Sequence, residues 1–376
     1  MFRSTVILVL LFQSSFYFAQ VAETLPATNV VRSEQEEKTS VYTLKAHHQE
    51  INLLEFSADS SLLASADSQV IVIWSLATGE ILHILPGHYS SEAKMAIAPT
   101  SLSFSPDGRF LASSTWSQGL LIPEKSVIVW DTATGKEIFS LSNQTGFRQV
   151  LFDASGEKLY VSSNDGIEIW QLEEKKQIGS FNDGHPQDAI ALSQDGKIMA
   201  TVDANIAGGQ QGEVSNQIKL WQLADDNVQL IATLKGHTND IAQLTFIDRD
   251  RILVSSSYDG KIKFWHWQQE KETKTLTQTS EDGLFSLNSR GRLIAGNFPS
   301  GMVLNVPRGA ILETPISVPF TGKASAVSFS PDDNILAWAT NADNFVNPTI
   351  VVWQMKSKAN GNTSRLSSKS SKVRII

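Results

Sequence analysis

Cysteine is absent from the 376 residues. That excludes disulfide scaffolds, thiolate-held zinc, iron–sulfur clusters and a cysteine nucleophile. It does not report the redox compartment. Positive charge is also short: 31 Lys and Arg stand against 39 Asp and Glu, a net charge of −8. A general nucleic-acid binder needs basic surface to displace counterions from phosphates, so no nucleic acid is expected as a partner. Signatures of catalysis are missing too. The chain contains no His-Glu-x-x-His, Gly-x-Ser-x-Gly or calcium-loop pattern. Gly208-Gly209-Gln210-Gln211-Gly212 lacks the lysine and the following helix of a phosphate loop. His47-His48-Gln49-Glu50 is a conceivable metal grouping, but His47 also falls at a repeat position described below. No metal, no cofactor and no enzymatic activity are expected.

What the chain does have is a 41% hydrophobic composition, enough for a core, and nine tryptophans in a pattern. A turn of the type Phe-Ser-Pro-Asp-Gly recurs seven times, at residues 56–60, 104–108, 152–156, 192–196, 246–250, 287–291 and 329–333. Each is followed by a short apolar strand such as Leu62-Leu-Ala-Ser65. A second, alternating strand then ends at Trp74, Trp130, Trp170, Trp221, Trp265 or Trp353, with Leu304 at the sixth place. These closing positions lie 39 to 56 residues apart, near the ~40–45 of a four-stranded propeller blade with insertions.

The ends differ from the repeats. Met1-Phe2-Arg3 and the apolar run 5–12 match a secretory signal, with cleavage after Ala19 or Ala22. Residues 1–22 therefore read as a signal peptide of a secreted or periplasmic protein, or as an uncleaved membrane anchor. Polar residues 23–40 read as a flexible linker. Residues 356–376 carry six Lys and Arg and no acid. They read as a disordered basic tail, with weak contact to an anionic membrane surface as its functional alternative.

The seven units in register, with Trp130-Asp131 and the Gly-His pairs at 87–88, 184–185 and 236–237, resemble the WD-repeat β-propeller family. The resemblance covers residues 41–355. It implies an all-β fold: a seven-bladed β-propeller of four-stranded antiparallel blades. After Trp353 only two residues precede the tail, so the last unit lacks an outer strand. Val41-Tyr-Thr-Leu44 would supply it and close the ring.

The resemblance also implies a buried hydrogen-bond chain from Asp to His to Ser to the Trp indole. It is most complete in the fifth unit, with His237, Ser255 or Ser257, Asp259 and Trp265. His47, His88 and His185 occupy the same place in other units. Such groups satisfy one another inside a blade, so this Ser-His-Asp set is structural, not a catalytic triad. Trp338 replaces the small residue of the second strand and is expected to fill a blade without its His. Trp267 is expected on a blade exterior.

Insertions at 89–103, 116–126, 203–216 and 341–348 would, in this family, open on one face. They carry Tyr89, Met95, Trp116, Leu120, Asn205, Gln210, Asn344 and Phe345. Aromatic, aliphatic and amide groups on a rigid rim suit a protein or peptide partner. The leading expectation is a non-catalytic interaction scaffold binding there. The alternative is a propeller enzyme or small-ligand binder, for a glycan or peptide, at the channel mouth. The sequence is silent on oligomeric state.

Overall fold

The computed structural model describes residues 31–35, 39–116, 123–142, 146–163, 165–181, 187–203, 216–224, 227–278, 283–298, 301–306, 310–311, 324–340 and 348–355. The leader 1–22 and the tail 356–376 lie outside them.

The repeated turn has a direct chemical cause. Asp59 is the clearest case. Its carboxylate accepts from the Ser57 hydroxyl at 2.6 Å and the Ser61 N–H at 3.0 Å, while the Ser57 hydroxyl accepts the Leu62 N–H at 2.9 Å. Side-chain oxygens thus close the turn that a longer backbone loop would otherwise need. The Ser57 and Ser61 bonds hold the Asp59 carboxyl below its ordinary range. Ser105 with Asp107, Ser193 with Asp195 and Ser330 with Asp332 repeat the serine–aspartate contact. In unit three Asp153 takes the Lys158 N–H, and in unit six Asn288 takes the Leu293 N–H. Gly108 sits in this turn at φ +72°, where a side chain would strain the backbone.

Each turn joins two strands of an antiparallel sheet. Six sheets have four strands in sequential order. Unit one runs Leu53–Phe56, Leu62–Ala66, Val70–Ser75 and Ile81–Pro86, and unit five Ile241–Ile247, Ile252–Ser257, Lys261–His266 and Lys271–Thr277. The third strand of unit one is buried on both faces except at its end, because sheets pack against it from either side. In units one to five the pairing of third and outer strands shifts register at the closing tryptophan. A bulge there increases local twist and gives the large ring its place.

The seventh unit differs from expectation. It is a five-stranded sheet, not a four-stranded blade. Thr39–Leu44 pairs with Thr349–Gln354, with Val41 opposite Trp353, and Val31–Gln35 then pairs on its outside. The protein is an all-β propeller with six four-stranded antiparallel blades and this five-stranded sheet. The additional strand falls where a linker is expected from composition. Main-chain pairing along a free strand edge is indifferent to whether side chains are polar.

Side chain–backbone bonds tie the inner strands of successive units. Phe152 N–H donates to Ser103, Ile190 N–H to Gln149, Gln194 N–H to Asp250, Phe285 N–H to Gln243 and Phe329 N–H to Ser286. Asp332 N–H in unit seven donates to Ser60 in unit one at 3.3 Å. Units one and two share an apolar cluster that includes Ile71, Ile73, Leu102 and Leu111.

The first strands enclose two cavities that share Gln149, Leu244 and Thr245. One, of about 340 Å³, is lined near the strand starts, by Thr100, Arg148 and Ala242 among others. The second, of about 520 Å³, reaches the turn residues 248–250, Ser289 and Pro331.

Candidate interaction face

The Ser-His-Asp groups come together inside the blades. In unit five Trp265 Nε1 donates to Ser255 Oγ at 2.9 Å, His237 Nε2 meets that oxygen at 2.8 Å, and His237 Nδ1 meets Asp259 Oδ2 at 2.9 Å. Burial lowers the His237 pKa, outweighing the bond to Asp259. Burial also pushes Asp259 upward, but the bonds from His237 and the Thr238 N–H outweigh it and leave the carboxyl below its ordinary range. A neutral imidazole donating Nδ1–H to a carboxylate must accept the serine proton at Nε2. The serine is fully buried and holds an indole, so no substrate reaches it. Ser257 is outside this chain: it bonds Asn239 O and the Asp259 N–H in the turn.

Unit one carries a second complete set, in which the sequence reading lacked the aspartate. Trp74 Nε1 donates to Ser65 at 2.8 Å, and His47 bridges Ser65 and Asp67 at 2.7 and 2.9 Å. Both His47 nitrogens are thereby engaged, so the 47–50 run does not offer it to a metal. Among the described residues no group of three His, Asp or Glu could hold a metal ion.

Other units keep fragments. His88 bonds Ser113 at 3.1 Å and, lacking an aspartate, the Lys125 carbonyl at 2.7 Å. Trp170 donates to Glu168, and Trp221 to Thr201. The Trp130 and Trp353 indoles are buried without a hydrogen-bond partner among the described residues. His185 lies outside those residues. Trp338 is buried in a cluster with Val351 and Trp353, in the blade-filling place expected. Trp267 is buried against the unit-four sheet and donates to Asp250 O.

At the insertion 89–103, His88–Ser90 and Met95–Ile97 form a small hairpin. Met95 at its turn is 47% exposed, which makes it a contact candidate, while Tyr89 is half-buried. The Tyr89 carbonyl accepts the Glu124 N–H, and the Thr115 hydroxyl donates to Ala98 O, so the hairpin rests on the neighbouring insertion. Trp116 is not freely exposed as the sequence suggested. It is half-buried, bridges to Gly146 and lies 3.9 Å beneath the Arg148 guanidinium. Leu120, Asn205, Gln210, Asn344 and Phe345 fall outside the described residues.

Gly146 permits this closure. Its φ is +80°, and a Cβ there would stand 2.5 Å from Thr115 O. Gly146→Ala is expected to cost about 2–3 kcal/mol in urea unfolding and to alter Trp116 fluorescence.

These features define a repeat-built propeller in which the blades of units one and five are pinned by His-centred polar chains. The WD domain, G-beta repeat family model matches residues 38–75, 79–131 and 228–266. The first match begins beside Thr39–Leu44 and runs through the third strand of unit one. The sequence repeat is therefore offset by one strand from the sheet. These repeats, with the relatives below, support a WD-repeat β-propeller family for the chain.

It is similar to p21-activated protein kinase-interacting protein 1-like of Xenopus laevis, at 27% identity over 73% of this chain and 70% of that protein. It is also similar to periodic tryptophan protein 2 of Arabidopsis thaliana, at 27% over 82% of this chain and 34% of that protein. Nuclear distribution protein PAC1 of Arthroderma otae matches at 24% over 61% of this chain and 52% of that protein. The chain thus spans about a third and about half of the length of the latter two.

The relatives correct one expectation. They are nuclear or cytoplasmic proteins, so the secreted or periplasmic location is overturned. The reason is physical. A short apolar run after one arginine is a weak signal that many non-exported chains share.

Proposed function

We propose that this chain is a non-catalytic scaffold that binds another protein or a peptide on the face carrying the 88–97 hairpin and Trp116. The exposed Met95, held on a hairpin buttressed from below, is the observation that carries this reading. Aliphatic side chains on rigid supports contribute binding area at low entropic cost. Similarity to a protein named for interacting with p21-activated protein kinase supports a protein-binding role, though the partner of this chain need not be the same. The insertions 203–216 and 341–348, with Asn205, Gln210, Asn344 and Phe345, would extend the same surface. Leu120 would add to it beside Trp116.

We read the five-stranded sheet as the seventh blade, closed by the Thr39–Leu44 strand. Deleting residues 1–45 would then leave unit seven with a free edge and lower the melting temperature. An unchanged melting temperature would contradict that closure. The binding reading is tested by Met95→Ala with Tyr89→Ala. Affinity for a captured partner should fall at least tenfold with the melting temperature unchanged. Full affinity in the double variant would sink it.

A further inference from the structure

Glu55 is the one acid lining the 340 Å³ cavity. It lies on Leu53–Phe56, where Leu54 and Phe56 turn into the core. It has neither a hydrogen bond nor an ion pair with any described residue. The side chains around it are neutral: Thr100, Ser101, Gln149, Gln243, Thr245 and Ser286. Several of their acceptor atoms are already taken, since Gln149, Gln243 and Ser286 receive the backbone N–H bonds that tie units together. Arg148 is the other charged residue lining the cavity, and its guanidinium stacks on Trp116.

The elements packed around Glu55 add no titratable group. Leu62–Ala66 behind it, Ser101–Phe104 and Ala324–Phe329 to either side, and Ile241–Ile247 and Phe285–Leu287 further round contain neither acid nor base. Among the described residues a carboxylate formed there has no hydrogen-bond or ion-pair partner. Such an arrangement is costly unless something else brings the positive charge.

We propose that this cavity binds a primary ammonium group, which forms an ion pair with Glu55 and displaces its proton. The exchange balances as carboxylic acid plus R–NH3+ giving carboxylate paired with R–NH3+ and one released H+. An ammonium suits the lining, because its three donors can be shared between the carboxylate and the surrounding hydroxyls. A divalent cation does not, since it takes six or more oxygen ligands and usually several carboxylates. The volume lies at the small end for ligand pockets, the size of an alkylamine rather than of a cofactor. Burial holds the empty Glu55 carboxyl up at about 8, so at neutral pH the site stands protonated until the ligand arrives.

The two sources of such a group are a free diamine and a lysine side chain. Isothermal titration of the full chain with cadaverine and with the peptide acetyl-Gly-Lys-Gly-amide separates them by which binds tighter. 1-Pentanol serves as the neutral control. Affinity for the tighter probe should rise roughly 50-fold from pH 6 to pH 8, while the amine itself stays protonated. Near pH 6.5, titrations in two buffers of different ionisation enthalpy should give about one proton released per ligand bound. Glu55→Gln should remove the pH dependence and the preference over pentanol.

No saturable binding of either amine at millimolar concentration would overturn the proposal. So would binding without proton release in the unmodified chain, a result that does not depend on the variant folding. Replacing the 88–97 hairpin by a short turn should leave cadaverine binding intact. A failure of the partner-binding face is thereby distinguishable from a failure of the cavity site.

Discussion

Replacing Ser255 by Ala should lower stability by roughly 2–4 kcal/mol, against about 1 kcal/mol for Ser257→Ala two residues on. Both serines are fully buried on the same strand, so their volumes and environments are matched. They differ in what they hold. Among the described residues Ser255 Oγ is the only hydrogen-bond partner for both His237 Nε2 and the Trp265 indole, and removing it leaves two buried polar groups unsatisfied. Ser257 serves a turn whose carbonyl and N–H lie nearer to solvent. Urea unfolding of the two variants measures the difference directly. Equal costs would show that the His-centred chain contributes no more than an ordinary turn contact. Ser65→Ala in unit one should behave like Ser255→Ala, since Ser65 carries the same two partners.

The second large effect is in acid. His88 is buried, and among the described residues it bonds no carboxylate, only the Lys125 carbonyl and Ser113. Burial depresses its pKa to about 4, against a small upward pull from the Lys125 carbonyl. In the unfolded chain the ring titrates near 6.5. Between those values the unfolded state binds more protons than the folded one, so stability is full above pH ~6.5 and falls as pH drops toward 4. The loss attributable to this one ring approaches ~3 kcal/mol. Glu55 works in the opposite sense. Its folded pKa is raised, so its contribution is largest below the unfolded value and fades as pH rises through about 8. The two are separated by subtracting the unfolding profile of His88→Asn from that of the unmodified chain. The difference should grow steadily from pH 6.5 down to 4. A flat difference would mean that His88 is charged, or solvated, in the folded protein.

The parts of this architecture written in local chemistry are readable from the chain. Ser-x-Asp turns and closing tryptophans each depend on residues a few positions apart, so their spacing survives in the sequence. The unit-five chain was readable for the same reason, though only coordinates separate Ser255 from Ser257. Asp67 escapes a spacing argument because it stands two residues after Ser65, whereas Asp259 stands four after Ser255. Its carboxylate caps Gln69 and Val70 at the same time as it meets His47. The Arg148–Trp116 stack joins residues 32 apart through an irregular bridge, and no periodicity announces it. The strand Val31–Gln35 is held by main-chain pairing, which polar composition conceals. Glu55 reads in sequence as one polar residue of an alternating strand. Only the ring of first strands makes it the lone acid of a cavity.

The central claim is that partner contact falls on the hairpin end of the propeller rather than on its outer strands. Met95 on the hairpin and Leu82 on the outer strand Ile81–Pro86 of unit one are similarly exposed, at 47% and 44%, and both are apolar. A photo-crosslinking amino acid placed at each position in turn, in native cell extract, compares the two surfaces under one condition. Adducts at Met95, suppressed by excess unmodified protein and absent at Leu82, are the expected result. Adducts at Leu82 with none at Met95 would contradict the account.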